Sequence, residues 1–137
     1  MKVLVFYTNS FSYKPADKNL DHAPDPGAGA TYSNCILALI QIEAADEEKD
    51  ILSREKKLVN HLKWAARKNN TKNIVLHSFA HLSSSKAASD FTHKIFNHAQ
   101  IRLEHAGFQV NQTPFGYFLD LMMDAPGFSL ARIWAEL

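Results

Sequence analysis

The chain has 137 residues, 46% of them hydrophobic and 21% charged, with a formal net charge of +1 at pH 7. This is globular composition rather than that of a disordered tail, and the length suits a single domain, residues 1–137, that buries its core without staples. The one cysteine, Cys35, excludes an intramolecular disulfide and a cysteine-built zinc site, so a reducing, cytoplasmic setting is expected; no signal-peptide pattern and no run near ~20 apolar residues predicts a leader or a membrane span.

In chain order, Lys2 to Tyr7 reads as a core strand, apolar and β-branched. Residues 8–34 hold Pro24, Pro26, Gly27 and Gly29 and read as a long loop or flap. Within that stretch, YKPADK (Tyr13 to Lys18) sets two lysines beside the loop, to meet a phosphate backbone or simply solvent. CILALIQIEA, Cys35 to Ala44, is a buried central strand with Ile36, Ala38, Ile40 and Ile42 on one face and Leu37, Leu39 and Gln41 on the other. Asp46, Glu47 and Glu48 precede a helix predicted over 50–68, where Ile51, Leu58, Leu62 and Ala65 recur at helical spacing. Between Lys49 and Lys72 stand eight basic and two acidic residues. The excess is either a solvated helix face or a phosphate-facing patch, with Lys56 and Lys57 the candidates for RNA contact.

Asn73 to Phe79 is a second buried strand, and residues 87–106 a second long helix stopped by Gly107. FQVNQT, PFG and YFLDLMM follow, with Pro114 marking an edge, bulge or strand start. The last two strands are expected to form a hairpin turning through Ala125, Pro126 and Gly127. The fold class is α/β, a mixed β-sheet with two main helices packed on one face.

Chemistry concentrates in two places. HSFAHLSS, His77 to Ser84, ends a buried strand, where open α/β sheets set their sites. Ser84 or Ser85 would start the next helix and leave backbone N–H groups for a phosphate or carboxylate; the plainer alternative is a loop histidine, His81, with capping serines. PFGYFLD, Pro114 to Asp120, offers an aromatic hydroxyl at Tyr117 and a permissive backbone at Gly116, for ligand stacking or for core packing. There is no GxSxG elbow for a serine nucleophile, and His77, His81, His93, His98 and His105 lack ligand spacing, so no metal is expected. No glycine-rich phosphate fingerprint occurs, and no cofactor is expected.

IVLHSFAHLSS and HAGFQVNQTPFGYF together resemble the strand, turn and helix end of the archaea-specific editing domain of threonyl-tRNA synthetase; the opening KVLVFYTNSFSY, ILALIQIEAADE and FSLARIWAEL are similar in type and position. The resemblance implies a D-aminoacyl-tRNA deacylase-like fold, a homodimer, and hydrolysis of seryl-tRNA mischarged on the threonine tRNA. Its implied partners are the 3′-terminal aminoacyl-adenosine of tRNA and the catalytic domains of a synthetase. It places Lys18, His81 and Tyr117 in catalytic positions, and Ser83, Ser84, Pro114, Phe115 and Gly116 around the substrate. Three substrate-site positions depart from the family pattern: Phe118 stands for a common tyrosine, Leu119 for a lysine and Arg132 for a glutamate. These departures keep a second reading open, a non-catalytic module that binds a tRNA end or assists synthetase assembly. A third is an unrelated small-molecule hydrolase or isomerase on a similar scaffold.

Overall fold

A computed structural model describes all of residues 1–137. Six strands form one sheet: β1 Lys2–Lys18, β2 Ala30–Gln41, β3 Asn73–Ser78, β4 Gln109–Gln112, β5 Tyr117–Asp124 and β6 Arg132–Glu136. The helices are α1 Ile51–Lys68 and α2 Ser89–His105. The strand order is β4-β3-β2-β1-β5, with β6 also on β1. β2, β3 and β4 pair in parallel, while β1 is antiparallel to β2, β5 and β6. The sheet is mixed, as expected, and the two long helices lie within two residues of their predicted bounds.

The alternation in β2 sorts the core. Ile36, Ala38, Ile40 and Ile42 join Val3, Val5, Ile74 and Leu76 beneath both helices, which contribute Leu58, Leu62, Ala65, Ile95, Phe96 and Leu103. Leu37 and Leu39 face the other way, with Phe11, Tyr13, Cys35 and Val75, and no helix covers that cluster. α1 is capped by Asp50, whose carboxylate accepts from the Ser53 N–H at 3.2 Å. α2 ends at Gly107, φ +93°, where the N–H groups of Gly107 and Phe108 reach back to the carbonyls of Glu104 and Leu103.

Three expectations are corrected. Residues 8–34 are not one long loop: β1 continues to Lys18 and β2 starts at Ala30. Buried Phe11 and Tyr13 alternate with half-buried Ser10 and Ser12, a period of two, and pair with Tyr32 and Ala30. The last two strands are not a hairpin. β5 pairs with Ser10–Lys18 and β6 with Lys2–Phe6 of the same strand, both antiparallel to it. They therefore run in one direction, and the link through Pro126 and the turn Ser129–Ala131 is an excursion rather than a reversal. Finally, Ser84 and Ser85 do not start α2, which begins at Ser89 after an N-cap, Ala88, that has no side-chain bond.

The first residue is built into the structure. The Met1 ammonium is buried against Glu43 Oε1 (2.7 Å) and Asp46 Oδ2 (3.1 Å). Arg54 Nη1 meets Asp46 Oδ1 at 3.2 Å and donates to the Leu137 carbonyl at 3.1 Å.

Candidate functional site

β2 and β3 are parallel and end together, Ile40 beside Ser78. Beyond them opens a cleft of about 430 Å3, within the range of small-molecule sites. Its walls are the loop after β3, the first turn of α2, the segment Pro114–Leu119, and Asn19 and Leu20 from the β1–β2 connection. The PFG segment, Pro114 to Gly116, borders this cleft.

Gln41, one residue past Ile40, shapes the loop. It is 3% exposed. Its Oε1 accepts from the N–H groups of Leu82 (2.6 Å) and Ser83 (2.7 Å), and its Nε2 donates to the carbonyls of Ser83 and Ser85, both at 2.9 Å. Glu43 adds a second brace by accepting from Ser83 Oγ at 2.7 Å. The N-terminal ammonium beside it holds the Glu43 carboxyl down at about 2, with Ser83 and Lys2 acting in the same sense and partial burial opposing. The loop is thus tied at 82–85, whereas the backbone N–H groups of Ala80 and His81 make no hydrogen bond within the protein.

The PFG segment is clamped from the other side. The Gly116 carbonyl accepts from the N–H groups of Asn19 (2.7 Å) and Leu20 (3.1 Å). Its φ of +91°, and the 2.8 Å that would separate a Cβ from Ala23 Cβ, require glycine. The Tyr117 hydroxyl donates to the Pro24 carbonyl at 2.7 Å. Phe115 stacks on His93, centroids 5.2 Å apart, and sets its edge against Phe96.

Of the sequence-predicted residues, His81, Pro114, Phe115, Gly116, Tyr117, Phe118 and Leu119 share the cleft. His81 is exposed at the rim, its ring edge-on to Phe79 at 5.0 Å. Leu119 also packs on the uncovered sheet cluster. The rest lie outside the lining. Ser83 is engaged by Glu43, and Ser84 is exposed. Lys18 is exposed beside Asn19 and pairs with Tyr117 across a bulge. Arg132 is on β6, where its Nη2 donates to the Pro126 carbonyl at 3.0 Å. Lys56 and Lys57 are exposed on α1; Lys56 borders a separate depression with Lys63, Arg102 and His105.

Gln41 and Lys86 belong to the lining without standing out as site residues in the sequence, and so does His77, which opens the HSFAHLSS segment without a role of its own there. The available signal is polarity inside apolar runs, Gln41 ending ILALIQ and His77 ending IVLH. His77 is 6% exposed, and its Nδ1 lies 2.8 Å from Thr113 Oγ1. Burial pushes its imidazole down to about 4, so it is neutral at pH 7. No group of three or more His, Cys, Asp or Glu side chains is arranged to hold a metal.

A mixed sheet with both helices on one face and a cleft at the strand ends defines the class, an α/β domain of the deacylase-like fold. The family model for the archaea-specific editing domain of threonyl-tRNA synthetase matches residues 1–137, and the chain belongs to that family. Threonine--tRNA ligase of Thermococcus onnurineus is 28% identical over 137 residues, which cover 97% of this chain and 22% of that protein. The threonine--tRNA ligase editing subunit of Aeropyrum pernix is 24% identical over 135 residues, 97% of this chain and 31% of the subunit. The chain therefore spans between about a fifth and a third of these curated relatives. A solved structure, c-Myc DNA Unwinding Element Binding Protein, superposes with a TM-score of 0.69 at 13% identity over 100% of this chain and 99% of that one, a likeness of fold alone.

Proposed function

We propose that this domain hydrolyses the ester bond of mischarged aminoacyl-tRNA, seryl-tRNA(Thr) being its substrate, as the proofreading part or partner of a threonyl-tRNA synthetase. One observation carries the reading: the unpartnered N–H groups of Ala80 and His81, adjacent on a loop that Gln41 braces beside the cleft. Donors fixed in advance stabilise the oxyanion formed when water attacks an ester carbonyl, each worth about 3–4 kcal/mol. The terminal adenosine lies against His81 and Tyr117, and the 2′-hydroxyl of the tRNA's own terminal ribose orients the water. His81 positions the ester; its side chain makes no hydrogen bond to an acid that would make it a strong base, and its ring neighbour is Phe79. Selectivity has a physical rationale. One methylene is worth only ~1–3 kcal/mol in an apolar pocket, so a synthetase needs a second site that excludes threonine by its extra methyl.

Single-turnover release of amino acid from a panel of charged tRNAs tests this. Seryl-tRNA(Thr) is expected to be cleaved and threonyl-tRNA(Thr) spared. His81→Ala is expected to slow release between about 10- and 100-fold by misplacing the ester. Replacing the terminal 2′-hydroxyl by hydrogen, with the amino acid held on the 3′-oxygen, is expected to be worse. Complete loss of turnover in His81→Ala with unchanged binding would overturn the positioning role.

The second reading, a module that holds a tRNA end without cleaving it, is favoured by the apolar Leu119 in the cleft and by Arg132 outside it. No release from any charged tRNA by the unaltered protein would select that reading. Under either, Lys56 and Lys57 are proposed to meet tRNA phosphates, synthetase catalytic domains are the proposed partner, and the proposed setting is the cytoplasm. A homodimer is also proposed. Its support is the sheet face that no helix covers and the exposed Leu121, Met123 and Trp134, which the register sets on the same face as Tyr13, Phe11 and Leu4.

A further inference from the structure

His77 is a polar side chain in the floor of the cleft that the proposed chemistry does not use. It stands on β3 beside Leu39 of β2, at the end of an otherwise apolar run, and lines the cleft. Only its Nδ1 has a partner, Thr113 Oγ1 at 2.8 Å. Its Nε2 makes no hydrogen bond in the protein, yet it is not among the buried polar atoms sealed away without one. It therefore opens toward the cleft.

The pair bears on which nitrogen holds the proton, since either atom of the contact can be its donor. Thr113 is buried, and His77 Nδ1 is the partner its hydroxyl finds. If Nδ1–H donated to the hydroxyl, the hydroxyl proton would have no acceptor, and a buried donor left unpaired costs ~1–3 kcal/mol. If the hydroxyl donates to Nδ1, that cost vanishes and the ring proton sits on Nε2. We propose that His77 is a specificity-determining residue of the cleft, presenting a neutral Nε2–H to an acceptor oxygen or nitrogen of the ligand, with Thr113 as the positioning residue that sets its tautomer. The chemistry selected is a carbonyl, hydroxyl or aromatic-nitrogen acceptor at the cleft floor. A site built to donate one hydrogen bond discriminates strongly against a ligand lacking the acceptor, because the donor is then stranded. The proposal rests on the cleft being the ligand site of the proposed function.

Two measurements test it and keep its failure apart from that of the hydrolase reading. Nitrogen-15 spectra of the whole protein report the tautomer directly and need no turnover. Nε2–H is expected in the wild type and in Thr113→Ser, and the alternative tautomer in Thr113→Val; Nδ1–H in the wild type would overturn the proposal. The probe is a non-hydrolysable 3′-aminoacyl-adenosine with an amide in place of the ester. Its addition should shift the His77 Nε2 resonance, and His77→Phe should weaken its binding at least tenfold, with partial recovery in His77→Asn. A shifted resonance without release from any charged tRNA leaves His77 assigned and removes the hydrolase. Release by the wild type that His77→Phe matches in rate and in ranking of aminoacyl esters would remove His77 instead.

Discussion

Removing the Gln41 amide leaves two N–H groups and two carbonyls of the 82–85 loop without their partners. Gln41→Leu is therefore expected to lower stability by about 2–4 kcal/mol, read as a fall in urea midpoint, since each stranded group costs ~1–3 kcal/mol and some regain water. Gly116→Ala is expected to cost about 1–2 kcal/mol through its positive φ and the close approach to Ala23; an unchanged midpoint would show that the 19–29 connection gives way freely. Acid adds a signed expectation. His77 is held near 4 against an ordinary 6.5, so its contribution is complete above pH 6.5 and is lost as pH falls toward 4. Half-buried His61 is shifted down in the same sense by its partial burial. Glu43, held at about 2 against 4.5, contributes fully above pH 4.5 and loses that contribution toward pH 2. Stability measured against pH should then decline in two stages, and His77→Phe should flatten the upper one. Neither group is recognisable from neighbouring residues alone, because what shifts them is burial and partners far away in the chain.

Elements show a different balance of what can be read locally. The helix periodicity is plain, and it places the bounds of α1 and α2 within two residues, because a 3.6-residue stripe of leucine and isoleucine has few competing explanations. The full length of β1 is harder to read beyond Tyr7, because Thr8, Asn9 and Ser10 hide an alternation that only Phe11 and Tyr13 betray. The turn chemistry of Ala125–Gly127 correctly marks a break but not its direction, which is set by the free edge of β1. The site divides in the same way: contiguous motifs such as PFGY and FAH lie in the lining, whereas Gln41 and Thr113 matter through partners about 35 to 45 residues away. On α1, Lys56→Glu with Lys57→Glu is expected to weaken tRNA binding and flatten the slope of log K against log salt by ~0.7–0.9 for each phosphate no longer neutralised. An unaltered slope would leave the helix a solvated face.

On the scale of the whole molecule, the two sides of the sheet are unequal. One is sealed by helices, and the other leaves Leu4, Phe6, Tyr32 and Leu119 half-buried around the smaller cluster. Sedimentation across a concentration series is expected to show a dimer; a monomer at high micromolar concentration would count against it. β1 has a further consequence, which concerns time. It precedes every other strand in the chain, and its outer edge finds partners only in β5 and β6, the last two. While the ribosome is still adding residues 19–116, β2 can pair with one side of β1, but the other side must wait. An unsatisfied strand edge of that kind invites pairing with another chain. The growing polypeptide is therefore at its most vulnerable to aggregation late in the synthesis of this domain, and residues 117–136 end that exposure by closing on residues 2–18.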